Sequence, residues 1–311
     1  MRIAVGIGRD LGLSEEQRTA LASEARKLGY ASAWTNAAGT DGIERCERWF
    51  EASGIATGVA AVPTPGMDLE ALTANARCLY ERSRGGFALG VGCGHPKDLP
   101  PEQQRAGAVR MMEQHIAALR RDFEGPIYLA AVGPQMLRLA GKSADGAIPN
   151  YMDASQIAWA RARLDEGALA AGRDRSAVKI AQFVRVSVHA DPAVAREAIA
   201  KAAFAYALST PGEPRVGTYR SMVRMGIGPD LDRLEALRGQ GIKGRALADA
   251  CPDSVLERLG AWGTPTTVLP KLRALCTGLD VAMVRPVATL PDFEGALGAI
   301  RACAPANWSW F

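Results

Sequence analysis

An apolar run followed by Gly-Pro is the segment of this sequence best suited to binding an anion. The run from Ile127 to Val132 reads as a buried strand, and Pro134 stands where the next helix should begin. After Gly133, the free backbone amides of Gln135 and Met136 would then point back toward the strand end. Unpaired amides and the positive end of a helix dipole attract phosphate. The segment predicts a phosphate site, and an ordinary strand-to-helix turn is the alternative.

A second candidate is the sequence Gly92-Cys93-Gly94-His95, which follows another apolar run. Glycines let the backbone approach a planar ring closely, and histidine titrates near neutral pH. Cys93 could touch such a ring, but nothing beside it in the sequence would lower the pKa of its thiol. We therefore expect His95 to be catalytic, and a solvated loop histidine is the alternative.

These candidates need elements to position them, and eight short apolar runs alternate with longer stretches of helical spacing. The runs predict strands at Arg2 to Ile7, Ala31 to Thr35, Ile55 to Val62, Gly86 to Gly92, Ile127 to Val132, Asp145 to Pro149, Lys179 to Val188 and Val281 to Val287. Such alternation is typical of a parallel sheet, open or closed. Eight strands are the number of a (β/α)8 TIM barrel, whose active sites lie at the carboxyl ends of the strands.

Capping signals mark several helix starts. Ser14 and Gln17 form a capping box, Asp153 could cap a helix, and Pro192 and Pro265 stand in predicted first turns. Residues 209–263 interrupt the alternation, because they are rich in Gly, Pro and charge and contain only short amphipathic pieces. We expect a helical insertion between strands 7 and 8 within a single domain of residues 1–311, since the segment has few apolar residues for a core of its own.

Composition argues against several classes of protein. The net charge of +4 over 311 residues is too slight for a nucleic-acid footprint, and no apolar stretch reaches the thickness of a membrane. The six cysteines form no CxxC pair or zinc-ligand spacing, so we expect no metal. The N-terminus lacks a secretory signal, which favours a cytoplasmic protein.

Together these segments resemble the luciferase-like monooxygenase family. The resemblance rests on PIYLAAVGPQMLRLAGKSADGAIPN (126–150), with GYASAWT (29–35), GGFALGVGCGH (85–95) and GTPTTVLPKLRALCTGLDVAMVRP (263–286) in the same order. It implies a TIM barrel and, more specifically, the branch of coenzyme F-420-dependent oxidoreductases similar to methylenetetrahydromethanopterin reductase. Such an enzyme transfers a hydride between the deazaflavin coenzyme F-420 and a small organic substrate. The alternatives are an FMN-dependent monooxygenase and a non-catalytic flavin-binding barrel.

The resemblance also implies where a cofactor would lie. The expected cofactor-binding residues at the strand ends are Gly6, Asn36, Gly58, Val59, Cys93, Gly94, Gly133, Pro134, Gln135, Met136, Asn150 and Tyr151. A bulge with a non-proline cis peptide is expected at or next to Gly58-Val59, behind the ring. Arg285 would face a cofactor tail or form a salt bridge at the rim.

Two implications of the resemblance concern catalysis and assembly. The family usually places Asp or Asp-His where this chain has Asn36-Ala37, and an amide cannot titrate. The family commonly forms homodimers through helices beside strands 2 and 3, where Trp49 and Phe50 look exposed in the sequence.

Overall fold

The computed structural model describes residues 1–36, 41–94, 106–208, 217–288 and 292–308. All of the strands in these ranges are parallel. They are β1 (Arg2–Gly6), β2 (Ser32–Thr35), β3 (Ala56–Pro63), β4 (Phe87–Gly92), β5 (Ile127–Ala130), β6 (Gly146–Ile148), β7 (Lys179–Val188), β8 (Ala261–Gly263) and β9 (Val281–Pro286).

Eight of these strands close into a barrel. Strands β1 to β7 follow one another around it, and β9 closes it by pairing with β7 on one side and β1 on the other. The predicted (β/α)8 TIM barrel is therefore confirmed. The sequence prediction missed β8. This strand pairs with residues 186–188 of β7, whereas β6 pairs with Lys179 and Ile180 at the beginning of β7.

The helices lie between the strands in the order that the sequence predicts. They are α1 (Glu15–Lys27), α2 (Asp41–Ser53), α3 (Leu69–Arg82), α4 (Ala106–Arg120), α5 (Pro134–Ser143), α6 (Ala154–Ala170), α7 (Pro192–Ala207), α8 (Thr218–Arg224), α9 (Gly228–Gly239), α10 (Gly244–Asp249), α11 (Asp253–Leu256), α12 (Val268–Leu275) and α13 (Phe293–Ala302). The capping box of Ser14 and Gln17 and the Asp153 cap are confirmed. The start predicted at Pro265 is wrong, because Thr264 to Thr267 form a turn and the helix begins at Val268.

Two apolar layers hold the barrel together. The larger one lies between the strands and the surrounding helices and includes Leu21, Trp49 and Leu89, all fully buried. The smaller one fills the barrel interior around Trp34, Tyr128 and Phe183. Burial of the strands on both faces explains why they read as continuous apolar runs rather than as alternating patterns.

Two aspartates fasten the amino-terminal end of the barrel. The carboxylate of Asp145, just before β6, accepts a hydrogen bond from the amide of Ile127 and pairs with Arg120. Asp280, just before β9, accepts from the amide of Ile180 at 2.8 Å and pairs with Arg161. Asp145 belongs to the ADG pattern of the sequence, so that pattern has a structural role at the face opposite the strand carboxyl ends.

Helices α5 and α6 approach each other at two glycines. A Cβ atom built on Gly141 would lie 2.0 Å from the carbonyl oxygen of Leu164, and one built on Gly167 would lie 2.0 Å from the carbonyl oxygen of Arg138. Gly141 is the glycine of the MLRLAG pattern. Because Gly141 has no side chain, the backbones of α5 and α6 can touch. This contact fixes the position of α5.

The segment after α7 contains the short helices α8 to α11 and ends in β8. Their apolar side chains, such as Met222, Leu231 and Leu256, are buried in a cluster that also contains Ile199 and Ala203 of α7. The insertion therefore shares a core with α7. The single domain over residues 1–311 stays a prediction, and residues 209–216 of the expected insertion lie outside the described residues.

The surface of α2 differs from the expectation for a dimer contact. Trp49 is fully buried against the barrel, and Phe50 is half-buried. The sequence interpretation of Trp49 as exposed was wrong, because the apolar face of α2 packs inward. The homodimer stays a prediction. Among the described residues, no helix has the length and apolar character needed to cross a membrane.

Candidate active site at the barrel mouth

A cleft of about 530 Å³ opens between the strand carboxyl ends and α7. One wall comes from the strand ends and the loops after them, and the other comes from α7. The lining residues are Asp10, Asn36, Tyr151, Arg185, Val194, Glu197, Ala198, Lys201, Ala202, Ala205, Tyr206, Arg285, Val287 and Ala288. This volume accommodates a small organic molecule.

Arg185 lies at the base of this cleft, on β7. Its Nη1 group donates to Oδ1 of Asn150 at 2.8 Å, and its guanidinium lies 3.7 Å from the centre of the Tyr151 ring. The Tyr206 ring lies 5.1 Å away. Burial lowers the pKa of Arg185, and the neighbouring Arg285 lowers it further. The base of the cleft is therefore positively charged and shielded from water.

Arg285 stands beside Arg185 in the register of the neighbouring strand β9. It pairs with Asp10, as expected for one of the two roles considered for it, a salt bridge at the rim. Its guanidinium also lies 4.9 Å from the Phe183 ring. A Cβ atom on Gly6 would lie 2.7 Å from that ring, so the missing side chain of Gly6 makes room for Phe183.

A patch of small residues lies at the ends of three neighbouring strands, β3 to β5. Strand β3 has the expected irregularity, because its register to β4 shifts between Val59 and Val62. A non-proline cis peptide lies there too, between Ala60 and Ala61 rather than at Gly58-Val59. A Cβ atom on Gly92 would lie 3.0 Å from the Cβ of Ala130 and 3.9 Å from that of Ala61. Three small residues, Ala61, Gly92 and Ala130, thus lie next to one another at the ends of β3, β4 and β5.

Gly58 itself faces a different neighbour. A Cβ atom on Gly58 would lie 2.5 Å from the Trp34 ring, and Val59 is fully buried in the layer under the helices. The space at Gly58 is thus filled by Trp34 in the barrel interior.

The start of α5 has the geometry that the sequence predicts. Gly133 is the N-cap in an extended conformation, and Pro134 is the first helical residue. Pro134 and Gln135 are exposed, Met136 is half-buried, and a Cβ atom on Gly133 would meet nothing within 4 Å. Among the described residues, therefore, nothing crowds the Cβ position of this N-cap.

Arg224 of α8 lies next to this helix start. It donates to the carbonyl oxygen of Val132 at 2.7 Å and lies over the Trp159 ring at 4.5 Å. The insertion thus brings a cation to the helix start. Burial lowers the pKa of Arg224.

Three further predicted residues have clear positions. Oδ1 of Asn36 accepts from the amide of Arg9 at 3.1 Å, so Asn36 holds the loop after β1 while lining the cleft. Asn150 lies between the two halves of the mouth, because its Nδ2 group donates to Thr218 at 3.3 Å and its Oδ1 accepts from Arg185. The hydroxyl of Tyr151 donates to the carbonyl oxygen of Ala202, which places Tyr151 at the cleft rather than at the start of α5.

The end of β4 is described only as far as Gly94. Cys93 is half-buried, and burial raises the pKa of its thiol, as expected for a residue that is no nucleophile. Gly94 has a φ of +70°, a conformation that favours glycine. The predicted catalytic residue, His95, lies outside the described residues.

Sequence reasoning missed the chemistry of the cleft. Arg185 lies within the apolar run of β7, and Glu197 and Lys201 lie within an alanine-rich helix. The one available signal was an arginine in the interior of a predicted buried strand. A charge there is seldom fully buried without a partner or a function.

The fold and the mouth define a (β/α)8-barrel protein with its candidate site at the strand carboxyl ends. The sequence identifies the family: a family model described as luciferase-like monooxygenase matches residues 100–279. This chain belongs to the luciferase-like monooxygenase family.

Individual relatives are more distant. The chain is 29% identical over 166 residues to a 5,10-methylenetetrahydromethanopterin reductase of Methanolobus tindarius, covering 53% of this chain and 48% of the relative. The chain spans about half the length of the curated relatives it matches.

Solved structures show the same fold over nearly the whole chain. A coenzyme F420-dependent tetrahydromethanopterin reductase from Methanopyrus kandleri has a TM-score of 0.73 at 20% identity and covers 99% of this chain and 100% of its own. An F420-dependent secondary alcohol dehydrogenase, solved with an F420-acetone adduct, has a TM-score of 0.74 at 15% identity, with 99% of both chains covered.

Proposed function

We propose that this protein is an oxidoreductase that transfers a hydride between coenzyme F-420 and a small organic substrate. The observation that carries the proposal is the pairing, at one barrel mouth, of an open helix start with a patch of small residues. The relatives named above support the choice of coenzyme, since two of them are F420-dependent enzymes and the third is a methylenetetrahydromethanopterin reductase.

The start of α5 would hold the phosphate of the coenzyme. The amides of Gln135 and Met136 lack partners within the first turn of the helix, and Gly133 leaves the approach to them open. Arg224 adds a positive charge beside Val132. Amide donors and a cation together suit an anionic phosphate group.

The patch of Ala61, Gly92 and Ala130 would support the ring. Because their side chains are small, a planar molecule placed on them would lie close to the backbone of three strands. When bound, a deazaflavin supplies a ring carbon that gives or accepts a hydride. The chain would align the substrate over that ring, within the cleft that opens between the strand ends and α7.

A proton must accompany transfer to a carbonyl, and we propose that His95 holds it. Asn36 cannot do so, because an amide does not titrate. Within the described residues, the carboxylates that line the cleft are Asp10 and Glu197. Asp10 is paired with Arg285 and is therefore the poorer alternative.

An FMN-dependent monooxygenase is the second candidate, and the description of the family favours it. The same helix start and the same patch would suit FMN, which also carries a phosphate and a planar ring. The two candidates differ in their reaction with oxygen, because a reduced deazaflavin reacts poorly with it.

The test is a titration of the purified protein with F-420 and with FMN, followed by absorbance and fluorescence, and then by oxygen uptake. We expect tighter binding of F-420 and no oxygen uptake. Gly133→Asp should weaken cofactor binding at least about tenfold, because a carboxylate would repel the phosphate. Gly239→Asp adds the same charge at an open position of α9 and should leave binding unchanged. Equal affinity of both variants for the cofactor would refute the phosphate site.

A second measurement concerns the proton. His95→Ala should lower turnover by about 10² while cofactor binding stays near that of the parent protein. Unchanged turnover would leave His95 without a catalytic role and would favour the non-catalytic barrel or another acid.

A further inference from the structure

The cleft contains a buried cation, Arg185, that pairs with no carboxylate of the residues that the structure describes. Arg185 is 6% exposed, and its hydrogen bonds within the described part of the chain use only Nη1, to Oδ1 of Asn150 and to the carbonyl oxygen of Phe183. Both acceptors are neutral. The Tyr151 and Tyr206 rings lie beside the guanidinium and attract it without carrying charge.

A buried charge without a counter-ion is costly unless the protein uses it. Asp10 lines the same cleft and could serve as a counter-ion, but it is paired with Arg285. Arg185 also lines the cleft, so its remaining N–H groups can reach a molecule that enters there. An anionic group of a ligand would supply the charge that the described residues leave unbalanced.

The charges around the cleft indicate how much negative charge that ligand carries. Among the described residues, three cationic side chains line it (Arg185, Lys201 and Arg285) against two carboxylates (Asp10 and Glu197), which leaves one positive charge in excess. A monoanion balances this excess and a phosphate dianion overshoots it. The planar fork of arginine matches a carboxylate, which can accept two parallel hydrogen bonds.

The rest of the lining describes the body of the ligand. Val194, Ala198 and Ala205 of α7 and Val287 after β9 present small apolar groups to the cleft. They leave space for an apolar or aromatic body attached to the carboxylate.

We propose that the substrate of this enzyme is a small organic acid whose carboxylate binds Arg185 at the base of the cleft. Calling this acid the substrate rests on the proposed function, whereas its binding to Arg185 needs no cofactor. Asn150 positions the guanidinium through Nη1, and the two tyrosine rings hold its plane.

The test uses the protein without cofactor and three probes of similar shape: benzoate, neutral benzamide and phenyl phosphate. Isothermal titration calorimetry at neutral pH should show benzoate binding, at least about tenfold tighter than binding of either other probe. Arg185→Gln should weaken benzoate binding about tenfold or more and leave benzamide unaffected, because it removes the charge and keeps a donor for Asn150.

Two further variants guard against a folding artefact. Arg185→Lys keeps the charge but loses the planar fork, and it should bind benzoate with intermediate affinity. Arg26→Gln removes the same charge in the last turn of α1 and should bind as the parent protein does. Circular dichroism and thermal unfolding of each variant establish that it is folded.

Three results would overturn the proposal: benzamide binding as tightly as benzoate, phenyl phosphate binding more tightly than benzoate, or Arg185→Gln and Arg185→Lys both retaining the parent affinity. A folded protein that binds F-420 but shows one of these results would refute the carboxylate site alone. A protein that binds benzoate through Arg185 but binds neither F-420 nor FMN would refute the proposed function and leave the anion site standing.

Discussion

Substitution of Gly141 by alanine tests the packing that positions the proposed phosphate site. The new Cβ atom would lie 2.0 Å from the carbonyl oxygen of Leu164 and 2.9 Å from the amide of Ala168, both backbone atoms of α6. Since Cβ contacts below 3.0 Å are essentially never found, α5 and α6 must separate by about 1 Å. No side-chain rotation can relieve the clash.

The expected magnitude follows from two opposing effects. Overpacking of this kind costs about 1–3 kcal/mol, and sometimes more. Replacing glycine by alanine inside a helix returns up to about 1 kcal/mol through backbone entropy. We expect Gly141→Ala to lower the free energy of unfolding by about 2 kcal/mol. The hydrogen bond from Arg173 to the carbonyl oxygen of Gly141, at 2.7 Å, would also be disturbed.

The assay is equilibrium unfolding in urea, followed by circular dichroism, with Gly298→Ala as the matched control. Gly298 lies inside α13, and a Cβ atom there would meet nothing within 4 Å. That variant should gain about 0.5–1 kcal/mol, because only the entropy term acts. The double variant Gly141→Ala/Gly167→Ala should cost less than the sum of its parts, since one separation of the helices relieves both clashes. A Gly141→Ala protein as stable as the parent would refute the reasoning.

The strands and helix caps were predictable because their signals are local. Continuous apolar runs gave all eight barrel strands to within about two residues, and Ser14 with Gln17 gave the start of α1. The start of α12 was missed because the proline of Thr264-Pro265 suits a turn as well as a helix, and the hydroxyl of Thr267 holds that turn by accepting from the amide of Thr264. Strand β8 is three residues long and carries no periodicity that a sequence could show.

The proposed cofactor half of the site was more predictable than the proposed substrate half. Gly133 and Pro134 are neighbours in sequence, and a Gly-Pro pair after an apolar run is by itself a signal for the start of a helix. The cleft depends on contacts between residues distant in the chain: Arg185 meets Asn150 across 35 positions, and Arg285 meets Asp10 across 275. The sequence of α7 is rich in alanine and has no strongly apolar face. How α7 packs therefore decides which of its residues face the mouth.

Trp49 shows the limit of assigning exposure from residue type. It lies in a helix with many charged residues, and the sequence interpretation took it as available to a partner subunit. In the structure it is fully buried, because Ile43, Cys46 and Trp49 share the face of α2 that packs on the barrel. The spacing of three between these residues was the signal for an inward face.

Two carboxylates extend these tests to the barrel base and to a helix cap. Asp145→Ala should lower the free energy of unfolding by about 2–3 kcal/mol, because it leaves the amide of Ile127 without its acceptor and removes the carboxylate that pairs with Nη2 of Arg120. In urea unfolding the exposed control Asp122→Ala should change little, and equal effects would refute the role of Asp145. Burial alone would raise the pKa of Asp153, but hydrogen bonds from Ser155, the amide of Gln156 and Arg258 outweigh it and lower that pKa below its usual 3.8. A depressed pKa in the folded protein means that the stabilisation is present above pH 3.8 and is lost as the pH falls through the folded value, since the unfolded state then binds the proton more readily. Asp153→Asn should therefore reduce the loss of stability on acidification below about pH 4, and an unchanged slope of unfolding free energy against pH would contradict the assignment of that titration to this cap.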